Sequence, residues 1–110
     1  RKDDGEMDVH LSAEALQRKV RALNPWPGVY TWWDGRRLKI LEAALLEGTE
    51  RKVPEGTVAV RPQERIGCLV LGTGSGVLAL ERVQLQGKIA VSARDFIVGH
   101  RSIDGAKLPS

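Results

Sequence analysis

The segment NPWPG at residues 24–28 constrains the fold more than any other part of the chain. Pro25 disfavours helical geometry at the residue before it, so a helix that arrives from the N-terminal side has to end at Asn24. The two prolines also restrict the backbone around Trp26, and Gly28 tolerates conformations that other residues avoid. The segment predicts a rigid corner between a helix and a strand, with Trp26 as a core anchor.

The residues on both sides of this corner agree with that prediction. Apolar residues recur at three- and four-residue steps from Ser12 to Leu23, which predicts an amphipathic helix capped by Ser12. Residues 29–33 are aromatic and β-branched, Asp34-Gly35 is a favoured two-residue turn, and residues 37–40 alternate. We therefore expect a helix, the corner and a β-hairpin in that order.

More short strands are predicted downstream. The second hairpin strand runs to Leu46, a charged surface loop covers residues 47–55, and strands follow at residues 57–60, 68–71 and 77–85. Ser92 to Asp95 has the form of a capping box that opens a short helix. Because 110 residues suit one core, we predict one domain, mainly β with flanking helices (α+β), whose five or six strands form a barrel.

Composition and charge limit the cellular compartments and the kinds of partner that fit this chain. No apolar run approaches the roughly 20 residues that span a bilayer, and the net charge of +3 is compatible with a polyanionic partner. The single cysteine, Cys68, cannot form an internal disulfide, so we expect a reducing compartment, the cytoplasm. The chain begins without Met or a signal segment, so we expect a piece of a longer protein.

Three patterns that resemble reactive sites have simpler interpretations. GTGSG at residues 72–76 lacks the Lys of a phosphate loop and precedes a strand, so a hairpin turn is favoured. Two histidines and one cysteine are too few for a zinc site of three or four nitrogen and sulfur ligands. Ser92, His100 and Asp104 could form a catalytic triad, but Ser92 is better used as a helix cap. We predict no catalytic residue and no metal in this chain.

Aromatic and basic side chains are the remaining candidates for binding. Trp32 and Trp33 point to opposite faces of one strand, so the outward one could either pack or stack on a base. Cations that form one surface would bind phosphates, although a scattered solvated surface is an equal alternative. The candidate phosphate contacts are Arg18, Arg21, Arg36, Arg37, Lys39, Lys88, Arg94 and Arg101.

Several segments resemble one family. RALNPWPGVYT at residues 21–31, preceded by LSAEALQRKV, is similar to the start of the C-terminal domain of methionyl-tRNA formyltransferases. DGEMD (4–8), LKILEA (38–43), PEGTV (54–58), GVLALERVQLQGK (76–88) and SARDFIVGHR (92–101) resemble further segments of that domain in the same order. Two positions depart from the resemblance: Ile89 stands where the family often has Lys, and Val9 where it often has an aromatic residue.

The resemblance implies a small open β-barrel of the oligonucleotide-binding type, formyltransferase C-terminal-domain-like, that follows a Rossmann-like catalytic domain. Residues 1–10 are polar and charged apart from Met7 and Val9, so by themselves they fit a linker or an edge strand laid on the domain. By the resemblance they would be a linker from that absent domain, and residues 11–110 the barrel domain. Such domains help hold the initiator tRNA, so the eight cations become candidate contacts to tRNA phosphates, none of which reads a base. The co-substrate, 10-formyltetrahydrofolate, would bind the catalytic domain, so this chain would hold no cofactor and be inactive alone.

Two other functions fit the same residues. The domain could brace a formyltransferase that acts on a nucleotide sugar or on folate, with no tRNA role. It could also be a free-standing single-strand binder in which Trp32 or Trp33 stacks on bases. Charge reversal at Arg36 and Arg37 separates the first from the tRNA-binding hypothesis, and tryptophan quenching by short homopolymers separates the second.

Overall fold

Helix α1 opens the fold and ends where the corner is predicted. In a computed structural model that describes residues 5–24, 28–46, 53–65 and 67–110, α1 spans Ala13–Leu23. The Ser12 side chain accepts a hydrogen bond from the Ala15 amide at 3.1 Å, which confirms the predicted cap. Asn24 is extended, with φ −87° and ψ 140°, as expected before Pro25. The predicted core role of Trp26 lies outside the described residues.

One antiparallel sheet contains the strands of the described chain. Asp34 and Gly35 adopt positive φ angles of 54° and 78° in the first turn, the conformation that a tight two-residue hairpin needs, so the predicted hairpin is confirmed. The strands are β1 (Val29–Trp33), β2 (Arg36–Leu46), β3 (Val58–Val60), β4 (Leu69–Gly72), β5 (Val77–Leu85) and β6 (Val91–Ser92). The sheet order is β1-β2-β5-β4-β3, and β6 pairs with β5.

The sheet curves without closing. The β2–β5 register shifts around Glu42, and such bulges strengthen the local twist of a strand pair. The end strands β1 and β3 do not pair with each other in the described part of the chain. The C-terminal residues follow both edges instead: the Leu108 amide donates to the Gly56 carbonyl at 2.7 Å, and the Ser110 amide donates to the Trp32 carbonyl at 2.8 Å. The predicted fold class is confirmed as a mainly β domain with two flanking helices, whose sheet is not closed in the described residues.

Part of the predicted linker lies against the domain. The Met7 amide donates to the Tyr30 carbonyl at 2.7 Å, and the Tyr30 amide donates to the Gly5 carbonyl at 2.8 Å, so this segment covers the free edge of β1. Met7 and Val9 are buried in the core. The segment therefore contributes to the packing of the domain, while the division at residue 10 stays a prediction.

Both helices cover the same face of the sheet. Helix α2 (Ala93–Gly99) begins after Ser92, whose side chain accepts from the Asp95 amide at 3.1 Å, as the capping pattern predicts. Leu16 of α1 and Phe96 of α2 join Leu38 and Val83 of the sheet in one apolar core, where each large side chain contributes about 1.5–3 kcal/mol. Neither helix in the described residues has the length and apolar character to cross a membrane.

The predicted alternation of β5 holds only in its second half. Residues 77–80 are all buried, whereas Arg82 is exposed and Val83 is buried again. Ala79 lies in register between Ala44 of β2 and Val70 of β4, so adjacent strands flank it on both sides. The sequence pattern of β5 alone does not reveal that all four of these residues are buried.

Candidate nucleic-acid interface

Strand alternation separates two faces of the sheet beside the β1–β2 hairpin. The side chains of Trp33, Leu38 and Leu85 are buried under the helices. The residues that alternate with them on β1, β2 and β5 are half-buried or exposed and belong to the opposite side. We call this side the outer sheet face, and it consists of Tyr30, Trp32, Arg37, Lys39, Gln84 and Gln86.

Arg37 lies at the centre of this face. Its Cζ atom is 4.8 Å from the Tyr30 ring centroid and 5.6 Å from that of Trp32, and such cation–π contacts stabilise exposed sites by about 0.5–1 kcal/mol. The Arg37 amide donates to Gln86 Oε1 at 2.9 Å, and the Gln86 amide donates to the Arg37 carbonyl at 2.8 Å. These contacts hold the backbone of Arg37 between β1 and β5 and orient its guanidinium over aromatic rings.

The charges of the outer sheet face are positive over its centre. Lys39 stands in register between Tyr30 and Gln84, and no described carboxylate forms an ion pair with Lys39 or Arg37. Described carboxylates occur at the borders: Glu6 beside Tyr30, Asp34 in the hairpin turn, and Glu42 in register with Arg82 of β5. The centre therefore presents two cations without an ion-pair partner among the described residues, as a site for an external anion requires.

A shallow depression of about 190 Å³ marks the end of the outer sheet face near the β5–β6 turn. Arg37, Lys39 and Gln84 contribute to its lining. Next to it, the Gln84 side-chain amide donates to the Lys88 carbonyl at 3.0 Å, so the exposed Lys88 lies at the border of the face. Cations, amides and aromatic rings together are the groups that contact phosphates, sugars and bases.

The structure brings together only some of the predicted phosphate contacts. Arg37 and Lys39 share the outer sheet face, and Lys88 lies at its border. Arg36 pairs with Trp33 in the β1–β2 register, and alternation places it on the opposite side from Arg37. Both helices pack on the buried face, so their cations do not join the outer sheet face. The helix-side candidates are Arg18 and Arg21 on α1, Arg94 on α2, and Arg101 in the 3-10 turn Arg101–Ile103.

Two of the helix-side candidates have partners within the chain. Arg18 forms an exposed ion pair with Glu14 at 2.9 Å, a contact that contributes about 0–1 kcal/mol. The Arg94 guanidinium donates to the carbonyls of Pro62 at 3.1 Å and Glu64 at 2.7 Å, and so ties the β3–β4 loop to α2. Arg94 therefore has a structural role whether or not it contacts a phosphate.

The other sequence patterns take the places that their simpler interpretations predict. GTGSG forms the β4–β5 turn, and the Gly74 amide donates to the Val9 and Leu11 carbonyls at 3.0 Å each. Of the possible triad, Ser92 caps α2, the His100 ring stacks on Phe96 at 4.3 Å, and Asp104 accepts from the Val60 amide at 3.0 Å. Within the described residues, no three His, Cys, Asp or Glu side chains form a group that could hold a metal ion.

The sequence-based candidates do not include Tyr30, Gln84 and Gln86. The alternation of VYTWW places Tyr30 on the same side as Trp32, and VQLQ places both glutamines on one side. That signal was available, but it does not tell which strands become neighbours. Only the β1-β2-β5 order brings these side chains beside Arg37.

Comparison with known proteins identifies the family. The model of the formyl transferase C-terminal domain matches residues 1–101. A methionyl-tRNA formyltransferase of Dehalococcoides mccartyi is 40% identical over 113 residues, covering 97% of this chain and 33% of that protein. That of Geobacter metallireducens is 35% identical over 108 residues (98% and 33%), and that of Treponema denticola is 34% identical over 103 residues (90% and 31%). The chain spans about a third of the length of these relatives. It belongs to the formyl transferase C-terminal domain family, as its motifs predict.

Proposed function

We propose that this chain is the tRNA-binding part of a methionyl-tRNA formyltransferase and helps to position initiator methionyl-tRNA in translation initiation. Its relatives carry that enzyme name, and the chain corresponds to about a third of their length. The observation that carries the proposal is the outer sheet face, where Arg37 and Lys39 stand without described acidic partners. The full-length protein would act in the cytoplasm.

In this proposal the chain contributes positioning rather than chemistry. The methionyl amine would attack the formyl carbon of 10-formyltetrahydrofolate, and the bond between that carbon and N10 would break to release tetrahydrofolate. A separate catalytic domain would supply the acid and base groups that take the proton from the amine and give one to the leaving nitrogen. The outer sheet face contacts phosphates without reading base edges, so it increases the rate of encounter and holds the tRNA in register. The chain alone would then bind no folate and have no transferase activity.

A titration of the chain with initiator tRNA at several salt concentrations tests the proposal. Each phosphate contact contributes a slope of about −0.7 to −0.9 in log K against log salt, and we expect a slope equivalent to several contacts. Arg37→Glu should lower the affinity about tenfold or more. Arg65→Glu makes the same change in net charge in the β3–β4 loop, away from the outer sheet face, and serves as the matched control.

Kinetics of the full-length protein distinguish tRNA binding from bracing. Loss of a uniform binding contact raises KM for methionyl-tRNA and leaves kcat nearly unchanged, which is the result expected for Arg37→Glu. No tRNA binding at low salt, together with unchanged formylation kinetics in Arg37→Glu, would overturn the proposal. That result would favour a bracing domain of a formyltransferase with a different substrate.

A further inference from the structure

Trp32 adds a feature to the outer sheet face that phosphate binding does not need. We propose that Trp32, together with the Arg37 guanidinium, is a stacking site for an unpaired nucleobase, so that the RNA on this face is locally single-stranded. The inference rests on the proposed function, because it concerns an RNA ligand of the same surface. It goes further by naming the conformation of that RNA and a residue that contacts a base.

The aromatic rings of the face are arranged edge-on rather than stacked on each other. The Tyr30 and Trp32 centroids are 6.0 Å apart with an angle of 88° between the planes. Trp32 is half-buried, whereas Trp33 is 6% exposed. An edge-on neighbour does not cover both faces of a ring system as a parallel one does, so part of the Trp32 surface remains available to a ligand.

The Arg37 guanidinium extends this aromatic surface. It lies over both rings, and a planar guanidinium can itself stack against a base. Because its backbone is held by Gln86, the residue that directly follows β5, Arg37 is positioned before any ligand arrives. A base that stacks here would have its phosphate near Lys39, which stands next to Arg37 along the same face of β2.

The two glutamines supply polar groups at the same place. Gln86 Oε1 is engaged with the Arg37 amide, and the Gln84 amide nitrogen is engaged with the Lys88 carbonyl. Each side chain has further hydrogen-bonding capacity, since an amide carries two N–H donors and an acceptor oxygen. These groups fit a ribose hydroxyl or a base edge better than they fit an apolar partner.

The charge of the face selects a nucleic acid among possible ligands. Arg37 and Lys39 have no described acidic partner, and Glu6 and Asp34 stand only at the borders. A polyanion with planar groups matches this combination, and every base offers a stacking face regardless of its identity. Within a duplex both faces of a base are covered by its neighbours, so only an unpaired base can use Trp32.

The experiment measures binding of the 110-residue chain to three RNAs: initiator tRNA, a six-nucleotide single strand, and a long blunt duplex of two complementary strands. Binding is followed by fluorescence anisotropy of labelled RNA at several salt concentrations. The variants are Trp32→Ala, Trp32→Phe and Val98→Ala. Val98 is 69% exposed on α2 and provides a matched truncation of an exposed apolar side chain elsewhere. Circular dichroism and thermal melting verify that each variant is folded.

We expect Trp32→Ala to reduce affinity for the single strand and for tRNA about tenfold, with the salt slope unchanged because no charge is lost. Trp32→Phe should recover most of the affinity, since it keeps an aromatic face. Binding to the blunt duplex should be the same in all variants. Intrinsic fluorescence of the unmodified chain should be quenched by the single strand and less so in Trp32→Phe.

Different results would refute the base-stacking proposal and the tRNA-positioning proposal. If tRNA still binds with a steep salt slope while Trp32→Ala and Val98→Ala are both neutral, base stacking is refuted and tRNA positioning stands. If the single strand binds through Trp32 but folded tRNA does not bind, stacking stands and tRNA positioning is refuted. If Trp32→Ala weakens the blunt duplex as much as the single strand, Trp32 acts only by supporting Arg37, and the proposed stacking is wrong.

Discussion

Trp32 and Trp33 are adjacent residues of the same type with different surroundings. The Trp33 ring meets Phe96 at 5.8 Å and His100 at 5.9 Å, both edge-on, beneath α2. Trp32 meets Tyr30 and the Arg37 guanidinium on the outer sheet face. One strand can therefore stabilise the fold with one side and remain available for binding with the other, because successive side chains alternate.

The basic residues Arg36 and Arg37 repeat this contrast on the neighbouring strand. Arg36 is in register with Trp33, and Arg37 is in register with Trp32. The two arginines therefore point to different sides of the sheet, although a reading of the sequence groups them as one basic pair. Four pairs of substitutions test contrasts of this kind.

The largest expected effect is the difference in folding stability between alanine substitutions at Trp33 and at Trp32. Trp33→Ala should lower the free energy of unfolding by about 3–5 kcal/mol, because it leaves a cavity in the core. Trp32→Ala should lower it by about 1 kcal/mol, mainly through the lost cation–π contact. Urea unfolding of both variants measures this. Equal losses would show that the outer sheet face is as important to the fold as the core.

Charge reversal at the adjacent arginines comes next. Arg37→Glu should weaken tRNA binding about tenfold, which is about 1.4 kcal/mol, while Arg36→Glu should have a clearly smaller effect because it lies on the other side of the sheet. Titration with initiator tRNA at one moderate salt concentration provides the comparison. A stronger effect of Arg36→Glu would place the RNA on the wrong side for our proposal.

Removal of the hydroxyl group from the buried residues Thr31 and Thr73 should change the stability of the fold in opposite directions. Among the described side chains, Thr31 Oγ1 is buried without a hydrogen-bond partner, so Thr31→Val should stabilise the fold by about 1 kcal/mol. Thr73 Oγ1 donates towards the carbonyls of Ser75 at 2.8 Å and Gly76 at 2.7 Å, so Thr73→Val should destabilise it by about 1–3 kcal/mol. Thermal unfolding gives both values. A destabilised Thr31→Val would mean that its hydroxyl has a partner in solution.

The smallest expected effect is the change in the salt dependence of tRNA binding when one charge is removed from the outer sheet face or from α1. Lys39→Gln should make the salt slope for tRNA binding shallower by about 0.7–0.9, the loss of one phosphate contact. Arg18→Gln should change the slope less, because Glu14 at 2.9 Å already offsets its charge. Matched salt titrations compare the two. Equal changes in slope would extend the interface from the outer sheet face to α1.

Local patterns account for most of the fold. The helix ends at Asn24, the hairpin turns at Asp34-Gly35, and Ser92 caps α2, each as predicted, because these features depend on neighbours within a few residues. The same patterns predict the GTGSG turn. They do not predict that residues 77–80 of β5 are all buried, since β5 pairs with β2 and β4, whose positions beside it are set by long-range pairing.

The candidate site was only partly predictable. Arg37 and Lys39 can be named from the sequence. The strand register has to be known before Arg36 can be placed on the other side of the sheet, and the strand order has to be known before Gln84 and Gln86 can be placed beside them. Arg94 was also named from the sequence as a phosphate contact, but the structure gives it bonds to the β3–β4 loop carbonyls, which cannot be inferred from spacing. Long-range pairing sets these contacts, and a local pattern contains no information about it.

The family and the order of elements follow from residues that can be read along the chain, since corners, caps and turns are short-range features. The packing of α1 and α2 decides which side of the hairpin is covered, because the two sides of a strand are equivalent until another element packs on one of them. That choice buries Trp33 and leaves Trp32 beside Arg37. The sequence supplied the aromatic and basic groups, and the tertiary structure gathered a few of them into one surface.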